Sequence, residues 1–131
     1  MYFQKVRLVD GEGSPNVTTF SGRVEVRQPR GSWGTVCDDS FDGRDALVIC
    51  RMFGFEYAVP IKKAHFGVGV GNIHMDDLRC TGNESSIFDC RYAGWDLHNC
   101  KHSEDASVIC SSLFIKVSSF LASLTHLNSI A

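Results

Sequence analysis

A chain of 131 residues with 44% apolar content and a formal net charge of −2 can close one modest core and is too short to suggest two domains. So small a charge excludes a global attraction to nucleic acid or to an anionic membrane, so any polyanion site has to be a local patch. Six cysteines, Cys37, Cys50, Cys80, Cys90, Cys100 and Cys110, lie at wide intervals with no C-x-x-C pair. That removes the main signature of structural zinc and of dithiol redox chemistry and leaves disulfides. Disulfides imply an oxidising compartment, and the sequons at Asn16 and Asn83 agree with an extracellular location and with glycosylation.

Residues 1–5 have neither a basic n-region nor an apolar run, so they read as a remnant ahead of an excised module, not a signal peptide. Val6-Arg-Leu-Val9 alternates and predicts a first strand with Val6 and Leu8 inward and Arg7 outward. A polar loop over 12–21 leads into Gly22-Arg-Val-Glu-Val-Arg27, whose alternation buries Val24 and Val26 and puts Arg23, Glu25 and Arg27 on an outer face. Pro29-Arg30-Gly31 carries turn chemistry and predicts an antiparallel hairpin, with a connection of three to five residues, to the strand ending at Cys37.

The next stretch organises the chain. Asp42 is a candidate N-cap, Ala46, Ile49, Cys50 and Phe53 recur at helical spacing, and Gly54 suits the C′ position, which together predict a short helix. Asp38 and Asp39 directly follow Cys37, so a bridge at that cysteine holds two like charges together and invites a cation. Residues 55–66, with Pro60 and Lys62-Lys63, read as a short strand and loop. Gly67-Val-Gly-Val-Gly71 lacks the Lys-Ser/Thr ending of a phosphate loop and no helix pattern follows it, so it reads as a turn before a strand with Ile73 and Met75 inward. Cys80 and Cys90 flank a loop with Gly82 and the Asn83 sequon, which makes a local bridge plausible. A second acidic pair, Glu104-Asp105, precedes a closing strand through Val108 and Cys110.

Beyond Cys110 the pattern changes. Leu113, Val117, Phe120, Leu121, Leu124, Leu127 and Ile130 fit a helical stripe, interrupted too often by polar residues to span a membrane. Residues 112–131 therefore read as a tail: a docked or partner-seeking amphipathic helix that could set oligomeric state, or a non-native extension.

These motifs resemble a known family. Val6-Arg-Leu-Val-Asp-Gly11, Gly22-Arg-Val-Glu-Val26, Trp33-Gly-Thr-Val-Cys-Asp-Asp39, Cys50-Arg-Met-Phe-Gly54, Met75-Asp76 to Cys80-Thr-Gly82, and His98-Asn-Cys100 to Glu104-Asp-Ala106 are together similar to the scavenger receptor cysteine-rich domain. The resemblance covers residues 6–111, and the six cysteines match its group A. It implies an α+β fold, a curved antiparallel β-sheet cradling one α-helix, with disulfides Cys37–Cys100, Cys50–Cys110 and Cys80–Cys90. It also implies a divalent cation site, Ca²⁺ with Mg²⁺ as the lesser candidate, from Asp38, Asp39 and Glu104 as one cluster and Asp39, Asp76 and Asn99 as a second. The chain departs from the pattern at Phe41, where tryptophan is common, in the long first loop, and in the tail.

The functional expectation is an extracellular, non-enzymatic, scavenger-receptor-like module that recognises anionic ligands or a partner protein with the help of Ca²⁺. Arg7, Arg23, Arg27 and Arg30 form a candidate anion-binding patch on the outer sheet face. The alternative is a metal-independent adhesion or spacer module. Catalysis has little support: no G-x-S-x-G elbow is present, and the best enzyme-like feature is a His98/His102 pair that could hold zinc with acidic partners.

Overall fold

The computed structural model describes residues 5–113, so the tail expected over 112–131 lies almost wholly outside the described residues. Seven elements follow in chain order: β1 (Val6–Val9), β2 (Thr19–Val26), β3 (Gly34–Val36), α1 (Gly43–Met52), β4 (Tyr57–Ile61), β5 (Ile73–Met75) and β6 (Ser107–Ser111). The strands form one curled sheet in the order β4-β6-β2-β3-β5, with β1 paired to β2. Pairing is antiparallel except between β3 and β5, which run parallel. The expected curved sheet with one helix is the observed fold, with this one parallel pair added.

Alternation along the strands decides which side faces α1. Val6, Val24, Val26, Val36, Val108 and Cys110 point to the helix, which answers with Ala46, Val48, Ile49 and Cys50. Phe41, in the position where the family pattern has a larger ring, is 1% exposed and fills the same core. The helix starts at Asp42, whose side chain accepts from the backbone N–H groups of Arg44 and Asp45, while Asp45 reaches back to the Asp42 N–H as a capping box. It stops at Phe53 because Gly54 follows with φ +92, a conformation that costs glycine little. Pro60 sits in β4, at the edge of the sheet, where a missing N–H costs least.

Two expectations need correction. Arg23 and Glu25 are only 6% and 5% exposed, not on an outer face, because the chain over 62–71 folds across that side of the sheet. A small second cluster of Val59, Ile61 and Ile109 with Phe66 packs under the same cover. The β2–β3 connection runs over residues 27–33, longer than a tight hairpin, since Val26 pairs with Gly34.

The six cysteines close as Cys37–Cys100, Cys50–Cys110 and Cys80–Cys90, the pairing the resemblance implied. The first two close loops of 63 and 60 residues. In the chain-entropy model each removes about 4 kcal/mol of unfolded-state freedom, against about 3 for the short one. Cys50–Cys110 ties α1 to β6 through the core; Cys37–Cys100 and Cys80–Cys90 lie where the loops carry charge.

Candidate functional site

The acidic residues flagged in the sequence divide by what their carboxylates touch. Asp38 turns away from the others: it is 7% exposed and its Oδ2 accepts from the Lys63 N–H at 2.8 Å, while its own N–H donates to the Glu104 carbonyl at 2.8 Å. Asp105, buried, accepts from the Gly69 N–H at 2.7 Å and pairs with His102 at 3.0 Å. The glycine-rich loop therefore spends this amide on the chain's own carboxylate. A Cβ at Gly69 would run into Thr35 beneath it.

Asp39 is the shared member of both expected clusters. On one side it lies with Glu104 beside the Cys37–Cys100 bridge, and on the other with Asp76 and Asp77, in each case with oxygens within 4.8 Å of one another. The bridged sulfurs offer no ligand, so the first group reduces to two carboxylates. Asn99 joins the second: its amide nitrogen donates to Asp39 Oδ2 and to Asp76 Oδ2, both at 3.2 Å. Asp76 is held by the Asp77 N–H on Oδ1 at 2.8 Å, and Asp77 takes φ 53 at this turn. Asp77 was not foreseen; its position directly after Asp76 was the available signal, but only the left-handed turn brings both carboxylates to one side.

Partial burial pushes the Asp39 carboxyl above its ordinary value, and the negative charges of Asp76, Glu104, Asp38 and Asp77 push the same way. Among the described residues no lysine or arginine side chain forms an ion pair with Asp39, Asp76, Asp77 or Glu104. Uncompensated carboxylates around a single amide suit a hard cation, which takes oxygen ligands from carboxylates, amides and water.

The four arginines do not form one patch. Arg23 is buried between Asp10 at 2.9 Å and Glu25 at 3.0 Å. Burial works against its charge, but these two carboxylates outweigh it and raise its pKa. Arg7 pairs with the other Glu25 oxygen at 2.6 Å and lies 4.3 Å from the Trp33 ring centroid; Arg27 lies 5.0 Å from the same ring. Arg30 is exposed at a φ of 64. Arg7 and Arg27 thus gather at the Trp33 ring, Arg23 shares Glu25 with Arg7 beneath them, and Arg30 is exposed on the β2–β3 connection.

His98 and His102 do not form a zinc pair. His102 already uses both ring nitrogens, Nδ1 on Asp105 and Nε2 on the Gly71 carbonyl at 2.8 Å, and His98 Nδ1 accepts from the Cys100 N–H at 3.0 Å. The sequons Asn16 and Asn83 are both exposed.

A disulfide-stapled sheet curled around one helix, with its charged side chains gathered on loops, defines a binding scaffold. Comparison with known proteins gives the particular class. The family model for the scavenger receptor cysteine-rich domain matches residues 14–111, and the chain belongs to that family. The third such domain of murine neurotrypsin superposes with a TM-score of 0.71 at 47% identity, over 84% of this chain and 97% of that one. The domain of mouse MARCO, crystallised in a dimeric form, superposes with a TM-score of 0.67 at 44% identity, over 72% of this chain and 90% of that one. The chain is accordingly a receptor-type binding module of the kind found in extracellular and cell-surface ectodomains. No helix among the described residues is long and apolar enough to cross a membrane.

Proposed function

We propose that this domain binds a divalent cation, Ca²⁺ before Mg²⁺, at Asp39, Asp76 and Asn99, and that the ion assists recognition of anionic ligands or a partner protein. The observation that carries this reading is the Asn99 amide set 3.2 Å from two carboxylates that lack a cationic side chain. Without an ion the amide nitrogen bridges the acids. With one, a half-turn of the amide presents Oδ1 as a third protein oxygen, an orientation that repels the carboxylates unless positive charge lies between them. Glu104 and Asp77 flank this set and strengthen its field. Few protein ligands leave coordination positions for water or for an oxygen of the ligand, and place affinity in the weak range of extracellular modules, about 10⁻⁴ to 10⁻³ M.

The face made by Arg7 and Arg27 at Trp33, with Arg30 exposed on the same connection, supplies the complementary attraction for acidic groups. Calorimetric titration with Ca²⁺ tests the reading. Wild type should give a saturable signal that chelator abolishes, and Asp39→Asn, which removes charge from both acidic groups, should lose it. A signal of wild-type affinity in Asp39→Asn refutes the site. Partner binding that ignores both Ca²⁺ and chelator favours a metal-independent adhesion module.

A further inference from the structure

A third charged feature is built from residues of neither the acidic cluster nor the Trp33 face, and adjoins the acidic cluster at Asp77. Arg79 and Arg91 face each other across an isolated antiparallel bridge, with the Arg79 N–H donating to the Arg91 carbonyl at 2.8 Å. They stand immediately outside the Cys80–Cys90 disulfide, one on each arm, so a covalent link and a backbone hydrogen bond fix them side by side. Both are exposed, and neither guanidinium has an ion pair or hydrogen bond among the described residues. Like charges directly opposite across a bridge repel. Among the described residues no carboxylate forms an ion pair with either of them.

Both side chains line an open hollow of about 590 Å³, and Arg44, from the first turn of α1, lines it with them, as do Ser40 and Asp42. Asp42 does not compensate the pair. Its Oδ2 takes the Arg44 Nη2 at 2.8 Å and Nε at 3.3 Å, and its Oδ1 caps the helix. Asp77 borders an adjoining hollow that Arg79 and Arg91 also line, and its Oδ1 lies 3.5 Å from the Ser40 hydroxyl. The local balance is three guanidiniums against two carboxylates, one of which is already committed to Arg44 and the helix cap.

We propose that Arg79 and Arg91, together with Arg44, form a clamp for one tetrahedral oxyanion, a sulfate or phosphate monoester on a larger ligand, that works without the divalent cation. Two planar N–H forks on adjacent backbone positions can meet different edges of a tetrahedral group, whose acceptors point in several directions, whereas a planar carboxylate saturates one fork. The disulfide and the bridge reduce the ordering that binding would otherwise require.

The test is titration of the ¹⁵N-labelled oxidised protein, in chelator, with glucose 6-sulfate and glucose 6-phosphate, following the arginine Nε–H resonances. Saturable shifts at Arg79 and Arg91 are expected, and the sugar that binds more tightly identifies the ester. Arg79→Gln/Arg91→Gln, which keeps the apolar stems of exposed side chains, should weaken binding about tenfold or more, the loss expected for charge-assisted hydrogen bonds. Lys62→Gln, at an exposed cation that lines neither hollow, should leave it unchanged. Wild-type affinity in Arg79→Gln/Arg91→Gln, or equal shifts at every exposed arginine, overturns the clamp. Neither result bears on the cation site, which is read by Ca²⁺ titration.

Discussion

Asp45 gives the most exacting test of how this fold is held together. It is 1% exposed, yet its two oxygens accept from the backbone N–H groups of Cys80 at 2.7 Å and Asp42 at 2.8 Å, joining the helix start to the base of the Cys80–Cys90 loop. Replacing it with alanine orphans the buried Cys80 amide, at about 1–3 kcal/mol, and removes the capping-box bond at about 1 kcal/mol, since the Asp42 amide can turn to water. A loss of about 2–4 kcal/mol is a large part of the stability of a domain this size. The sign with pH is more specific. Burial pushes the Asp45 carboxyl up to about 6 despite those two N–H bonds, from 3.8. Well below pH 3.8 it is protonated in both folded and unfolded chains. As pH rises to 6 and beyond, the unfolded chain releases the proton first, and the folded state loses about 3 kcal/mol relative to it. Asp45→Asn keeps the volume and the acceptor for Cys80 but cannot titrate. Urea unfolding of the oxidised proteins, followed by Trp33 and Trp95 fluorescence, should therefore show the advantage of wild type over Asp45→Asn shrinking between pH 4 and pH 7. An advantage that grows over that range would mean the N–H bonds outweigh burial, and the reasoning would be wrong.

His102 has the opposite behaviour: burial opposes its charge, but the Gly71 carbonyl and Asp105 outweigh burial and raise its pKa above 6.5. Its contribution is fully present below that value and is lost as pH climbs through the raised one. His102→Gln should accordingly flatten the decline in urea midpoint between pH 6 and pH 8.5. Gly34 and Gly43 make a matched pair for thermal melts. A Cβ at Gly34 would strike the His74 ring, which Asp96 at 2.6 Å and the Ser32 carbonyl at 2.9 Å hold in place, so Gly34→Ala should cost about 1–3 kcal/mol. A Cβ at Gly43 meets nothing within 4 Å, so Gly43→Ala, at the first helical position, should be neutral or slightly stabilising.

The helix was legible because its start, stripe and stop are written in adjacent residues: Asp42, the run from Ala46 to Cys50, and Gly54. Alternation likewise placed Val24 and Val26 inside, and the structure agrees. Period-two patterning cannot say what lies over the second face of a sheet. For that reason Arg23 and Glu25 read as exposed, although residues from 62 to 71 cover them and Arg23 Nη1 donates to the Gly67 carbonyl at 3.2 Å. The parallel β3–β5 pairing was equally hidden, since three-residue strands carry too little pattern to give direction. In the acidic site, the gathering of Asp39, Asp76 and Asn99 depends on contacts between distant segments, and only the resemblance indicated it. Adjacency to Asp39 suggested a shared role for Asp38, but its carboxylate accepts from the Lys63 amide, a partner twenty-five residues away that no local pattern indicates.

The charged clusters share one structural device. Asp39 and Glu104 flank Cys37–Cys100, and Arg79 and Arg91 flank Cys80–Cys90, so each group of like charges is held together by a disulfide. Gathering like charges raises the free energy of the folded state, and at Asp39 burial first, then the neighbouring carboxylates, push the pKa up. A short-range core contact could relieve that repulsion by a small backbone shift, whereas a covalent bridge cannot. On the two proposed readings, a counter-charge would relieve this repulsion on binding, and part of it would return as affinity. A ligand bearing both an oxygen for a cation and an ester group for the arginines would draw on both clusters, which Asp77 places next to each other: it belongs to the acidic group and also borders the hollow lined by Arg79 and Arg91.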